Sequence, residues 1–250
     1  MRTWEEAKQE HLAEVLKKYN IQNIVGIFAY GSQNYNAHTA DSDWDTKVIY
    51  VPSFNELVLS SPVNETLEFA NGEHCEIKDI REMVKNLRKQ NINFTEILFT
   101  KFNWVNPNYE HYWRMLTDYK EDIVTYNPNI AAQSICGQIL HTLKQNPNDG
   151  KKIANAFRLT LFLTKYLDGF NYSDCLVLSP EERREFLRIK KNIISTQKQK
   201  AYVAIIEKTV VKIKECIYPI NQDADEYVNR LYINVQLQLI AAKIQPFNTH

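Results

Sequence analysis

Asp43 and Asp45 stand one residue apart where the strand-like run WDTKVIYV begins. Side chains on a strand alternate with period two, so both carboxylates project from the same face. Two carboxylates on one face repel each other unless a cation lies between them. Mg²⁺ takes hard oxygen ligands, through one or two carboxylates plus substrate phosphates. Upstream, the run NIVGIFAY ends in Tyr30 and is followed by Gly31 and Ser32. The pattern predicts a strand that turns into a helix, whose first N–H groups and dipole attract phosphate oxygens. Gly31 has no Cβ to keep the backbone away, and Ser32 adds a hydroxyl donor. Trp44 falls on the opposite face, where it can pack under a helix. A phosphate cradle and a metal clamp would thus sit on adjacent strands, joined by a polar loop of ten residues, 33–42. A second acidic pair, Asp223 and Asp225, reads as a helix N-terminus instead.

These groups need a scaffold. Trp4, Ala7, Leu12, Val15 and Leu16 recur at helical spacing over residues 3–19. Residues 23–30 and 44–51 read as strands, the second closed by Pro52. Residues 74–80 alternate after the turn signal Asn71-Gly72 and read as a third strand. From residue 80 onward the period is near 3.6, beginning with a helix over 80–90. Helices are expected over 109–125, 129–145, 151–168, 180–198, 200–218 and 222–244, separated by Asn-Pro, Asp-Gly, Ser-Pro and Tyr-Pro breaks. The expected class is α+β: a small mixed-sheet core over residues 1–105, then a helical bundle over 106–250.

The 250 residues suit one large domain or two small ones. Lys plus Arg and Asp plus Glu are both 30, so bulk charge does not announce a nucleic-acid partner. Cys75, Cys136, Cys175 and Cys216 are far apart, with no CxxC pair, which argues against structural zinc and disulfide dependence. No apolar run reaches the roughly 18 residues of a membrane span. The expectation is a cytoplasmic protein with no membrane partner.

The combination of strand, Gly-Ser, polar loop, Asp-x-Asp and strand resembles the nucleotidyltransferases of the DNA polymerase beta superfamily. Within it, the stretch from Tyr30 to Ser53 is similar to a predicted nucleotidyltransferase family of bacteria and phages named for an RNA repair pathway. The matching residues are Gly31, Ser32, Tyr35, Ser42, Asp43, Asp45, Tyr50 and Pro52. Weaker similarity continues through QNINFTEILF, with Glu96 at an acidic position, and KKIANAFRL, with Lys151 and Arg158. Asn155 stands where the family has His, and Asn36 where its loop has a second Gly.

The resemblance implies that Gly31 and Ser32 hold the triphosphate of an NTP such as ATP, and that Asp43 and Asp45 ligate Mg²⁺ or Mn²⁺. It also implies a third carboxylate on a later strand. Glu73 and Glu76 flank His74 and Cys75 there, and Glu76, inside the alternating run, is preferred. Lys151 and Arg158 lie two helical turns apart, hence on one face, where they would clamp phosphates. The implied reaction is in-line transfer of NMP to an acceptor hydroxyl on RNA or protein. Basic tracts at 182–191 and 197–200 are the sequence's candidates for an RNA backbone, although their spacing also fits an ordinary amphipathic helix. The alternative is a catalytically weak nucleotide-binding or interaction protein that kept the fold. Intact Ser32, Asp43 and Asp45 favour the enzyme.

Overall fold

The computed structural model describes residues 2–40, 42–59, 62–146, 148–220 and 222–241. Its N-terminal part contains α1 (Trp4–Leu16), β1 (Ile24–Tyr30), β2 (Asp45–Tyr50), α2 (Phe54–Leu59), β3 (Asn64–Glu68), β4 (His74–Asp79), α3 (Ile80–Arg88), α4 (Ile92–Thr95) and β5 (Asn103–Val105). The helical part contains α5 (Glu110–Thr117), α6 (Lys120–Thr125), α7 (Pro128–Gln145), α8 (Gly150–Leu167), α9 (Tyr172–Leu176), α10 (Pro180–Lys190), α11 (Thr196–Glu215) and α12 (Gln222–Ala241). The class is α+β, a mixed five-stranded sheet and then helices. Strand order is β3-β4-β2-β1-β5. β1 runs antiparallel to β2 and β5, β3 antiparallel to β4, and β2 parallel to β4.

The three strands read from sequence are β1, β2 and β4. The sequence reading missed β3 and β5. β3 is an edge strand whose residues alternate only between exposed and half-buried, so NETLE carries no apolar signal. β5 has three residues, too few for a period. The helix expected over 109–125 is broken at Asp118–Tyr119 into α5 and α6. The one expected over 180–198 stops at Lys190, because Ser195 accepts from the Lys198 N–H at 3.3 Å and caps α11.

The sheet's two faces differ. Thr46, Val48 and Tyr50 of β2 and Cys75 and Ile77 of β4 point toward α1, and the apolar ones bury with Val15, Ile24 and Ile27. The face carrying Asp45, Lys47 and Ile49 looks toward the helical half. There Phe28 stacks on Trp113 of α5 at 4.2 Å, and the main core runs on through Ile80, Ile139 and Phe162 to Val235. The division at 105/106 therefore stands as a proposal: it marks a change of secondary structure across one shared core.

Two local features bring the helical half to the sheet. Asp149 caps α8 by accepting from the Lys151 N–H at 2.8 Å. Next to it, Gly150 packs so closely on the end of α10 that a Cβ would meet Ile189 O at 2.4 Å and Asn192 Oδ1 at 2.3 Å. That approach joins the start of α8 to the end of α10, and with it Lys151 to Lys190.

Candidate active site

Gly31, Ser32, Asp43, Asp45, Lys151 and Arg158 all line one cavity of about 760 Å³. The volume lies in the range of small-molecule sites, roughly 300–1,000 Å³. The carboxylates and the Gly-Ser turn come from the sheet half, and the cations from α8 across the cavity.

The segment after Gly31 is a run of turns over residues 31–36, and the helix expected there does not form. Gly31 has φ +85° and Asn36 φ +56°, and left-handed residues at both ends interrupt a right-handed helix. Asn36 thus adopts the positive φ expected of a residue standing in for glycine. The Gly31 N–H is already committed, donating to Glu96 Oε2 at 3.2 Å. The Ser32 hydroxyl remains on this rim as a phosphate donor, and the hydroxyls of Thr39 and Ser42 line the same cavity. The helix N-terminus that does face the cavity is that of α8, with Lys151 in its first turn.

Glu96 organises the turn. It is fully buried and also accepts from the Tyr35 hydroxyl at 2.6 Å and from Asn34 Nδ2 at 3.2 Å. Burial pushes its carboxyl above the ordinary range, against the pull of Tyr35, Arg158, Asn34 and the Gly31 N–H. The other face of Tyr35 carries Arg158, whose guanidinium centre lies 3.7 Å from the ring centroid. Arg158 is 5% exposed and donates from Nη2 to Asn155 Oδ1 at 3.0 Å. Its Nη1 is buried and has no hydrogen-bond partner among the described residues. Such an atom at a cavity wall is costly unless a ligand acceptor meets it.

Asp43 and Asp45 reach the cavity, while Trp44 points away from it and packs on Trp4 of α1 at 5.5 Å between centroids. Burial raises the Asp45 carboxyl above its ordinary pKa; the charge of Asp43 acts in the same direction, while the His74 hydrogen bond and Lys151 oppose. His74 Nδ1 lies 3.3 Å from Asp45 Oδ1. Neither aspartate is ion-paired with a Lys or Arg among the described residues. Gly31 lies directly beside Asp45: a Cβ built on it would touch Asp45 Oδ2 at 3.7 Å. Two carboxylates that line one cavity with no Lys or Arg partner among the described residues, Asp45 half-buried with only His74 beside it, fit a hard divalent cation.

Glu76 is not brought into this cavity. It pairs with Lys47 Nζ at 2.5 Å and Lys78 Nζ at 3.6 Å, and accepts from the Tyr30 hydroxyl at 3.2 Å. The reason is register: in the parallel β2–β4 ladder Glu76 stands opposite Lys47, whereas the β4 side chain that reaches Asp45 is His74. Burial would raise the Glu76 carboxyl, but Lys47 holds it below its ordinary pKa. Among the described residues no group of three His, Cys, Asp or Glu side chains is placed to hold a metal ion.

The sequence reading missed α10 as part of the site. Phe186 and Lys190 line the cavity, and Arg183, on the same helical face at spacings of three and seven, donates to Asn36 O at 2.9 Å and His38 O at 2.8 Å. Burial lowers the Lys190 ammonium's pKa, and Lys151 lowers it further. The tract 182–191 was legible only as a basic amphipathic helix. Its apolar face ends at the cavity because α10 packs on α8.

No family model matches the chain, and no curated protein matches it. Matching solved structures include a nucleotidyltransferase-like protein from Exiguobacterium sibiricum. The two align over 99% of this chain and 83% of the other, at 10% identity and a TM-score of 0.35. A likeness at that level carries no argument about this chain's chemistry, which rests on its own residues. Among the described residues no helix is long and apolar enough to cross a membrane.

Proposed function

We propose that the chain is a metal-dependent nucleotidyltransferase that transfers NMP from an NTP to an acceptor hydroxyl on RNA or protein. Residues 1–105 would form the nucleotidyltransferase core, and 106–250 the helical half that closes the cavity. The observation that carries the reading is the buried, unpartnered Nη1 of Arg158 in a cavity that also presents Ser32, Asp43, Asp45, Lys151 and Lys190. Carboxylates on one rim and unneutralised cations on the other suit a metal-bound polyphosphate.

Mg²⁺ or Mn²⁺ would be held by Asp43 and Asp45 and would supply Lewis-acid polarisation of a phosphoryl oxygen. The chain's own groups do the rest. Ser32 donates to phosphate from the turn that Glu96 holds. Arg158 presents Nη1 while Nη2 stays on Asn155, so its guanidinium is fixed before the ligand arrives. Lys151 and Lys190 add mobile point charges. Tyr30 lines the cavity beside Asp45 and is backed by the Lys47–Glu76 pair, with Lys47 Nζ 4.3 Å from the Tyr30 ring centroid.

Incubation with α-³²P-labelled NTPs and Mg²⁺ or Mn²⁺ tests the reading. Label transferred to RNA or protein, with release of pyrophosphate, is the expected result; no transfer and no nucleotide binding would refute it. One observation favours a second reading, a nucleotide-binding protein with little turnover. Glu76, the preferred third carboxylate, is occupied by Lys47. Nucleotide binding without transfer to any acceptor would support that reading.

A further inference from the structure

The peptide between the two aspartates lies outside the sheet ladder. β2 begins at Asp45, and the last pair of the β1–β2 ladder is Tyr30 with Asp45. Asp43 and Trp44 therefore need another anchor if both carboxylates are to face the cavity. Trp44 provides two. Its backbone N–H donates to Glu73 Oε1 at 3.2 Å, and its indole Nε1–H donates to Arg2 O at 3.1 Å.

Glu73 is 3% exposed, and its second oxygen accepts from the Arg2 guanidinium and from His11 Nε2, the latter at 3.0 Å. An ionised carboxylate only accepts, so Nε2 carries the imidazole proton. His11 Nδ1 then accepts from the Thr46 hydroxyl, 2.8 Å away. His11 has no exposed surface and stacks on Phe69 at 4.1 Å. Through one direct bond and one relayed bond, Glu73 thus holds Trp44 and Thr46, the two residues that bracket Asp45. Both lie on the back of the sheet, while Asp43 and Asp45 lie on its front. Packing alone would not require a charged group here, because burying an ion pair generally costs as much as it returns.

We propose that Glu73, acting with His11, is the positioning group of the Asp43–Asp45 pair, setting from behind the sheet the placement of the two carboxylates toward a divalent cation. This rests on the nucleotidyltransferase reading and adds to it a second site of control, on the α1 side. Glu73 is a positioning residue, since it touches neither the cavity nor a ligand.

Two titrations on the full chain test it. Mn²⁺ affinity is measured calorimetrically with α,β-methylene-ATP present, and fluorescent-NTP affinity is measured in EDTA. Loss of a group that orients a metal ligand typically costs about 10–100-fold in metal affinity. Glu73→Ala is expected to weaken Mn²⁺ by at least about tenfold on that scale, with metal-free nucleotide affinity unchanged. Glu73→Gln keeps an oxygen for the Trp44 N–H and should recover most of the loss. His11→Phe keeps the stacking on Phe69, removes both polar links and should weaken Mn²⁺ by a smaller factor. It also serves as the readout if Glu73→Ala fails to fold. Wild-type Mn²⁺ affinity in folded Glu73 and His11 variants would overturn the inference alone, leaving the nucleotidyltransferase reading intact. A proportional loss of metal-free nucleotide affinity would also overturn it, by showing a general structural role. A wild-type protein that binds no Mn²⁺ would remove the nucleotidyltransferase reading and this inference together.

Discussion

The two rims of the cavity are built differently. On the sheet side, Asp45 begins a ladder strand, the Gly31–Asn36 turn is tied to Glu96 by three donors, and Trp44 is bonded from behind. On the helical side, Lys151 and Lys190 make no side-chain hydrogen bond or ion pair among the described residues, and Arg158 keeps a free buried nitrogen. The contrast has a chemical sense. Oxygen ligands of a small divalent cation must be held in fixed geometry, because Mg²⁺ tolerates little departure from octahedral coordination. A flexible polyphosphate needs charge in reach more than charge in place, which long lysine side chains supply. Rigidity lies on the acidic rim and adaptability on the basic one.

Breaking the acidic rim should have the largest effect. Asp45→Asn or Asp43→Asn is expected to abolish Mg²⁺-dependent pyrophosphate release, beyond the roughly 100-fold that loss of an orienting group can cost, while circular dichroism stays native. Unchanged Mn²⁺ affinity in both variants would erase the difference between the rims. Next comes Arg158→Lys, which removes the planar fork. A hydrogen bond to a charged group contributes about 1.5–3 kcal/mol, so NTP use should fall by about 10–100-fold. The measurement is the NTP concentration dependence of pyrophosphate release, and overlapping curves would detach α8 from the site.

Lys190→Ala should be milder, about three- to tenfold in NTP affinity, since an adaptable point charge contributes on the order of 1 kcal/mol. Nucleoside monophosphate affinity should change less, and equal losses for both nucleotides would contradict a polyphosphate role. The smallest effect concerns Glu96 and stability. Its native carboxyl pKa is raised, so the native state holds the proton to higher pH than the unfolded chain, and stability falls as pH rises through that window. Relative to Glu96→Gln, the wild-type urea midpoint should decline from about pH 4.3, the unfolded value, upward. A difference that grows with pH would mean that the donors around Glu96 outweigh its burial.

Read as strand alternation, the Asp-x-Asp spacing put Asp43 and Asp45 on one side and Trp44 on the other. The structure has that arrangement, but β2 begins only at Asp45, so Asp43 and Trp44 lie outside the ladder and Trp44 is held by Glu73 instead. The Gly31-Ser32 turn was visible from glycine's conformational freedom at the end of an apolar run, although the conformation of residues 33–36 was not. Nothing local in QNYNA says that Glu96, sixty-five residues from Gly31, will take its N–H, or that Asn36 will turn left-handed and interrupt the helix. Glu76 was misleading because alternation gives the face of a side chain and not its row. The row is set by the β2–β4 register, which pairs Glu76 with Lys47, while the β4 side chain that reaches Asp45 is His74. Lys151 and Arg158 shared a helical face by arithmetic, and only packing could say which cavity that face would meet.

By itself, then, the sequence determined the class of fold, the order of sheet before helices, and the pairing of two carboxylates with a glycine turn. All of these come from local periodicity and from conformational rules that act over a few residues. Tertiary structure alone decided which charges stay free. Glu76 was neutralised by a neighbouring strand, Glu73 was drawn behind the sheet to Trp44 and His11, and Lys190 was carried to the cavity because Gly150 lets α8 and α10 touch. Whether a charged side chain finds a partner depends on distances of a few ångströms between segments far apart in the chain, and Coulomb and hydrogen-bond energies change over that scale.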